Sequence, residues 1–151
     1  MRGMKAYFAA VAVLLVAVVL VSGCENQETP NSEVPVEKVF RTVATGSTDD
    51  GDVLIEIAPG QIRNGVLVAD VSANTHSVDL SQFDLAKLST LSYNGKILKP
   101  VSVPLLSGHH SSGEMVFDLG VAVDGKTVEG FAITIKGIPA VDERVFEWKN
   151  E

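Results

Sequence analysis

The chain predicts an all-β domain, an immunoglobulin-like β-sandwich of about seven strands, standing behind an export signal and a flexible tether. Three observations carry this reading. From Val53 onward, short runs rich in β-branched residues recur at intervals near ten residues and are cut by Gly, Pro and Asn. Asn94-Gly95 lies between two such runs and is a strong hairpin signal, because both central residues of a type I′ turn take positive φ. The runs number about seven in about 100 residues, the size and strand number of an immunoglobulin-like sandwich.

The chain opens with Arg2 and Lys5 and then runs uncharged from Ala6 to Gly23, dominated by Val, Leu and Ala as far as Val21. A basic head, an apolar middle and small residues before a cut make an export signal. Leu20-Val21-Ser22-Gly23-Cys24 resembles the lipobox of bacterial-type lipoproteins. That resemblance implies cleavage before Cys24 and a diacylglyceryl group on its thiol. Residues 1–23 are then a lipoprotein signal peptide, and the mature protein is extracytoplasmic and lipid-anchored to a membrane. Two or three acyl chains hold a small domain firmly, since each buried CH₂ contributes about 0.8 kcal/mol and one chain alone is marginal. An uncleaved membrane anchor is the competing reading, because about 18 apolar residues can span a bilayer.

The whole chain carries 12 basic and 19 acidic residues. Removing residues 1–23 takes away Arg2 and Lys5 and leaves 10 basic against 19 acidic, a net charge of −9. So acidic a surface repels nucleic acid and anionic headgroups. It suits a domain held off the membrane, or one whose partners are cationic; the expected partner is another envelope protein. Cys24 is the only cysteine, so no intramolecular disulfide forms and the fold rests on its core.

Residues 24–52 follow as the lipidated cysteine and an acidic tether. Glu25 to Glu37 hold two prolines, four acids and almost nothing apolar, a composition that does not offset the cost of ordering the backbone. Lys38 to Ala44 read either as a short strand or as more tether, and Thr45 to Asp52 read as a loop. The sandwich spans 53–151. Its expected strands are Val53–Ile57, Gly65–Ala73, Leu88–Tyr93, Lys96–Val103, Glu114–Leu119, Phe131–Lys136 and Arg144–Trp148. Pro104 confines the end of the Val101 to Leu106 run to an edge. Asp124-Gly125 and Gly137-Ile138-Pro139 mark turns. Asp79 or Ser81 is placed to cap a short helical turn through Phe83, Leu85 and Leu88. Alternatively, Ser81 to Ala86 form a crossover that tucks Leu80, Phe83 and Leu85 under the sheets.

All three histidines fall in two segments, Asn74-Thr75-His76-Ser77-Val78-Asp79-Leu80 and Ser107-Gly108-His109-His110-Ser111-Ser112-Gly113-Glu114-Met115. Both are expected at strand ends, which a sandwich can bring to one rim. Clustered, His76, His109 and His110 would suit Cu or Zn, with Asp79, Glu114 or Met115 as the fourth ligand. Neighbouring strand residues face opposite ways, so His109 and His110 share a metal only if Gly108 and Gly113 turn the backbone. The plainer reading is a polar strand end and a solvated turn.

With Glu143-Arg144-Val145-Phe146-Glu147-Trp148, these two segments resemble a group of secreted bacterial and archaeal β domains over roughly residues 53 to 149. The resemblance implies that the loop pair is a family feature and implies no reaction. No Gly-x-Ser-x-Gly, nucleotide-binding Gly loop, Cys-x-x-Cys or His-Glu-x-x-His occurs. Ser111 or Ser112 beside His110 lacks any nameable oxyanion donor. Asp49, Asp50 and Asp52 lack the pattern of a calcium loop. Phe146 and Trp148 read as core-closing aromatics of the last strand. The sequence thus points to a non-catalytic, lipid-anchored binding or scaffolding module at the cell envelope, with copper or zinc delivery as the alternative.

Overall fold

Apolar and polar side chains alternate along strand after strand, and the alternation sorts the strands into two facing antiparallel sheets. A computed structural model describes residues 40–121, 123 and 128–149. The chain divides into two units, Met1–Val34 and Pro35–Glu151, and all described residues belong to the second. The export signal, Cys24, the tether as far as residue 39 and the Asp124-Gly125 turn lie outside the described residues.

Eight strands are seen among the described residues: β1 Val43–Thr45, β2 Leu54–Pro59, β3 Val66–Asn74, β4 Ser89–Tyr93, β5 Lys96–Leu98, β6 His110–Asp118, β7 Gly130–Ile138 and β8 Val141–Lys149. The first sheet has the order β1-β2-β3-β6 and the second β5-β4-β7-β8. Pairing of β3 with β6 and of β4 with β7 joins strands from different hairpins, as in the Greek-key connections of an immunoglobulin-like sandwich. Ile55, Ile57, Leu67, Val71, Met115 and Phe117 of the first sheet meet Leu91, Ile133, Ile135, Phe146 and Trp148 of the second in the core. Side chains of this size stabilise by about 1.5–3 kcal/mol each when fully buried. Among the described residues no helix is long and apolar enough to cross a membrane.

Several boundaries differ from the sequence-based expectation. The sheet begins before Val53: Val43 pairs with Ile57 and Thr45 with Ile55, so a strand takes in only Val43 and Ala44 of the Lys38 to Ala44 segment and extends into Thr45, the first residue of the expected loop. The run Lys96 to Val103 is divided between the two sheets. Leu98 pairs with Leu91 in the second sheet, whereas Ser102 bridges Val116 of the first. Pro100, which has no N–H to donate, stands where the chain leaves one sheet for the other. β6 starts at His110, so four of the six residues of the expected Gly-His-His-Ser-Ser-Gly loop are strand. Between β3 and β4 the two expectations combine. Asp79 caps a 3-10 turn at Leu80–Gln82 by accepting from Ser81 N–H, and Asp84 caps α1, Leu85–Leu88, by accepting from Ala86 N–H. Leu80 and Leu85 are tucked into the core.

The Asn94-Gly95 turn forms as expected, with φ of 45° and 73°. Gly108 also takes positive φ, 59°, and turns the chain into β6. Gly113 does not turn; it lies within β6 opposite Val71, and a Cβ there would stand 2.7 Å from Pro104 Cβ. The residue lets the strap after β5 lie close under β6. Gly113→Ala is expected to destabilise by about 1–3 kcal/mol, as overpacking does, measured by urea unfolding. A loss below the error of that measurement would show that the strap yields freely.

Candidate functional site

The segments bearing the histidines, the Asp49 to Asp52 loop and the β7–β8 turn all meet at one end of the sandwich. Leu54 opens β2, Asn74 closes β3 and His110 opens β6, and these three lie side by side across the first sheet. Just beyond them, Thr75 N–H donates to His109 O at 3.0 Å and Leu80 N–H donates to Gly108 O at 2.9 Å. The two segments are therefore laced together through their backbones, at one rim.

Buried polar side chains hold this rim. Thr75, fully buried, donates its hydroxyl to Asp52 O at 2.7 Å and accepts from the N–H groups of Ser77 and Val78, both at 3.3 Å. Arg144 leaves no side-chain surface exposed. Its Nη1 donates to Ile138 O at 2.6 Å and Val141 O at 2.7 Å, and its Nη2 to Pro139 O at 2.8 Å and Val53 O at 3.1 Å. The fork also meets Asp52 Oδ1 at 3.1 Å. A guanidinium suits such a place because its five donors are spread in a rigid plane. Burial pulls the guanidinium below its ordinary pKa, and the Asp52 charge acts against that. At Asp52 partial burial acts to raise the carboxyl, but hydrogen bonds from Val53 and Ser47 and the Arg144 charge outweigh it and hold the group below the usual carboxylate range.

The histidines face outward. His110 Nδ1 lies 3.0 Å from Asn74 Oδ1. His109 stands near Asp79, whose carboxyl is held below its ordinary value chiefly by the Ser81 N–H and, to a lesser degree, by His109. His76 is exposed on the neighbouring segment. The ligand set expected of the sequence does not assemble. Met115 is wholly inside the core, and Glu114 lies on the outer sheet face opposite Asp70, well along β6 from His110. Among the described residues, no three His, Cys, Asp or Glu side chains are grouped so as to hold a metal ion. Ser111, considered beside His110 as a nucleophile, directs its hydroxyl to Leu105 O at 3.3 Å.

No family model matches the chain, and neither a curated protein nor a solved structure does. What the rim does follows from its own geometry. The Thr75 hydroxyl and the two terminal nitrogens of Arg144 are occupied in holding loops, while Arg144 Nε is buried without a partner, and the three imidazoles face outward. That arrangement can present a shaped polar surface.

A second polar region lies on the outer face of the first sheet, where a hollow of about 350 Å³ is bordered by Glu56, Asp70, Ser72 and Ser112. Asp70 sits directly opposite Glu114, and Ser72 Oγ donates to Glu56 at 3.1 Å. Like charges directly opposed across strands destabilise. Glu114→Gln is accordingly expected to raise stability by about 0.2–1 kcal/mol at low salt, with the gain fading as salt is added. Thermal unfolding at two ionic strengths measures this.

Sequence reasoning did not find Arg144, Asp52 or Thr75. For Arg144 a signal was present: in Arg144-Val145-Phe146-Glu147-Trp148 the arginine shares the strand face of Phe146 and Trp148. Extending the alternation by one step places it inside. For Asp52 and Thr75 no local pattern distinguishes a buried partner from a polar loop residue.

Proposed function

We propose that this protein is a non-catalytic module, lipid-anchored through Cys24, that binds or scaffolds another protein of the cell envelope with the loop-bearing rim of its sandwich. The observation that carries the reading is the polarity of the domain. The chain enters at the end remote from the rim: Phe40 packs edge-on against Phe131 with ring centroids 5.0 Å apart, and Arg41 O accepts from Trp148 Nε1 at 2.7 Å. Phe131 and Trp148 lie at the opposite end of β7 and β8 from the 139–140 turn. A domain tethered from that end leaves His76, His109 and His110 free to face away from the bilayer. The acidic composition favours a protein partner over anionic lipid.

The test has two parts. Cys24→Ser is expected to release the protein from the membrane fraction and to remove the mass added by lipid; unchanged membrane association would remove the anchor from the reading. In cells, a photocrosslinker placed at His109 is expected to capture a discrete envelope protein, whereas one placed at Asn94, at the far end, is not. Equal capture from both positions, or turnover of a defined substrate by the purified protein, would overturn the binding role.

A further inference from the structure

The hydrogen bonds that hold the rim loops run from one loop to the next. The 46–53 loop is joined to the 75–80 segment twice, through Thr75 Oγ1 to Asp52 O and through Gly51 N–H to Ser77 Oγ, both at 2.7 Å. The 75–80 segment is joined to 108–109 by the Thr75–His109 and Leu80–Gly108 backbone bonds. On the other side, Arg144 binds Asp52 and Val53 and also the carbonyls around the 139–140 turn. Asp52 stands at the junction. Its carboxylate receives Ser47 N–H at 2.7 Å, Val53 N–H at 2.7 Å and the Arg144 guanidinium, while its main-chain carbonyl receives Thr75.

We propose that Asp52 and Arg144 form a latch that makes the four rim loops one cooperative unit, so that engagement of the exposed 108–110 segment is felt at the 46–53 loop and the 139–140 turn. Loops held only by their own contacts open independently, and exposed ones open at almost no cost in free energy. Here opening one loop strands the buried partners of the next. Releasing 46–53 leaves Arg144 short of two acceptors and the buried Thr75 hydroxyl without Asp52 O, and an unmatched buried donor costs more than its hydrogen bond contributes net. The loops are thus stable together or loose together, while the sheets beneath, joined by their own ladders, need not follow. Asp52 is a positioning residue in this device. The inference holds whatever partner the rim takes.

Residue-resolved amide hydrogen exchange on the full-length protein tests it, with Asp52→Asn and Ser77→Ala as variants on opposite sides of the junction. Asp52→Asn is expected to speed exchange at Ser47 and Val53, which its side chain touches, and also by about tenfold or more at Val78 and Leu80, which it does not touch. Ser77→Ala is expected to speed exchange at Ser47 and Val53 as well, because coupling between two sites is reciprocal. Leu91 and Ile133, in the middle of the second sheet, should keep their protection in both variants. Faster exchange confined to directly contacted amides, transmission in one direction only, or a uniform rise that includes Leu91 and Ile133 would each overturn the latch.

Discussion

Arg144→Met is expected to destabilise the domain by about 3–5 kcal/mol, the range seen when one partner of a buried ion pair is removed. Methionine fills much of the volume but donates nothing, so the carbonyls of Val53, Ile138, Pro139 and Val141 and the Asp52 carboxylate all lose a donor. Arg144→Lys should recover only part of the loss, because an ammonium cannot reproduce the planar fork that spans acceptors on both sides. Urea unfolding followed through Trp148, the only tryptophan, measures both variants. A loss for Arg144→Met under about 1 kcal/mol would mean that those carbonyls find water instead. The pH dependence has a definite sign. Because the folded state holds Asp52 below the ordinary carboxylate range, its contribution is present above the unfolded value of about 3.9 and is lost as pH falls through the lower folded value. The stability gap between wild type and Asp52→Asn should therefore be level from neutral pH to about 5 and shrink below about 4.

Trp148→Ala is expected to cost a similar amount, about 3–5 kcal/mol, by opening a cavity that the surrounding strands cannot close. The indole stacks on Phe131 with centroids 5.1 Å apart and planes 27° from parallel, and its N–H is given to Arg41 O. Two losses are combined here, packing against β7 and the tie to the entering chain. Trp148→Phe separates them in large part, since it keeps a ring against Phe131 while removing the donor together with part of the indole's bulk. That variant should lose about 0.5–1.5 kcal/mol. Far-ultraviolet circular dichroism is the appropriate probe, as both substitutions abolish tryptophan fluorescence. Equal losses for the two variants would mean that the hydrogen bond to Arg41 matters more than the ring.

Much of the fold was legible because its signals are local. β-branched runs, Asn94-Gly95 and a capping aspartate at Asp79 each act over a few residues, and with the exception of one run each appears in the structure where the chain announces it. The Lys96 to Val103 run was misread because it reads as one strand, while the two halves find partners in different sheets, and partner choice is a long-range matter. His110 to Gly113 looked like a loop because Gly and Ser weaken strand propensity; pairing with Val71, Ser72, Ala73 and Asn74 overrides it. The candidate site was half legible. Convergence of the two histidine segments followed from their place at strand ends, but where the side chains point did not. The parity of β6 separates Met115 from Glu114, and burial removes Met115 altogether. The buried network escaped notice because a threonine, an aspartate and an arginine at strand and loop ends usually face water.

Arg144 has one more consequence, for encounters between copies of the protein. The two sheets end in β1, β5, β6 and β8. β1 and β5 have three residues each, and the strap from Val101 to Leu105 runs beside β6, bonding to it at Val116 and Ser111. β8 is nine residues long and ends its sheet, the kind of strand on which a foreign strand can add. Its inward side carries a charge whose acceptors come from this chain's own turn and from Val53 and Asp52. A β8 pulled loose to pair with a neighbour would have to leave those acceptors behind, so the same side chain that ties the rim also discourages the strand from exchanging partners.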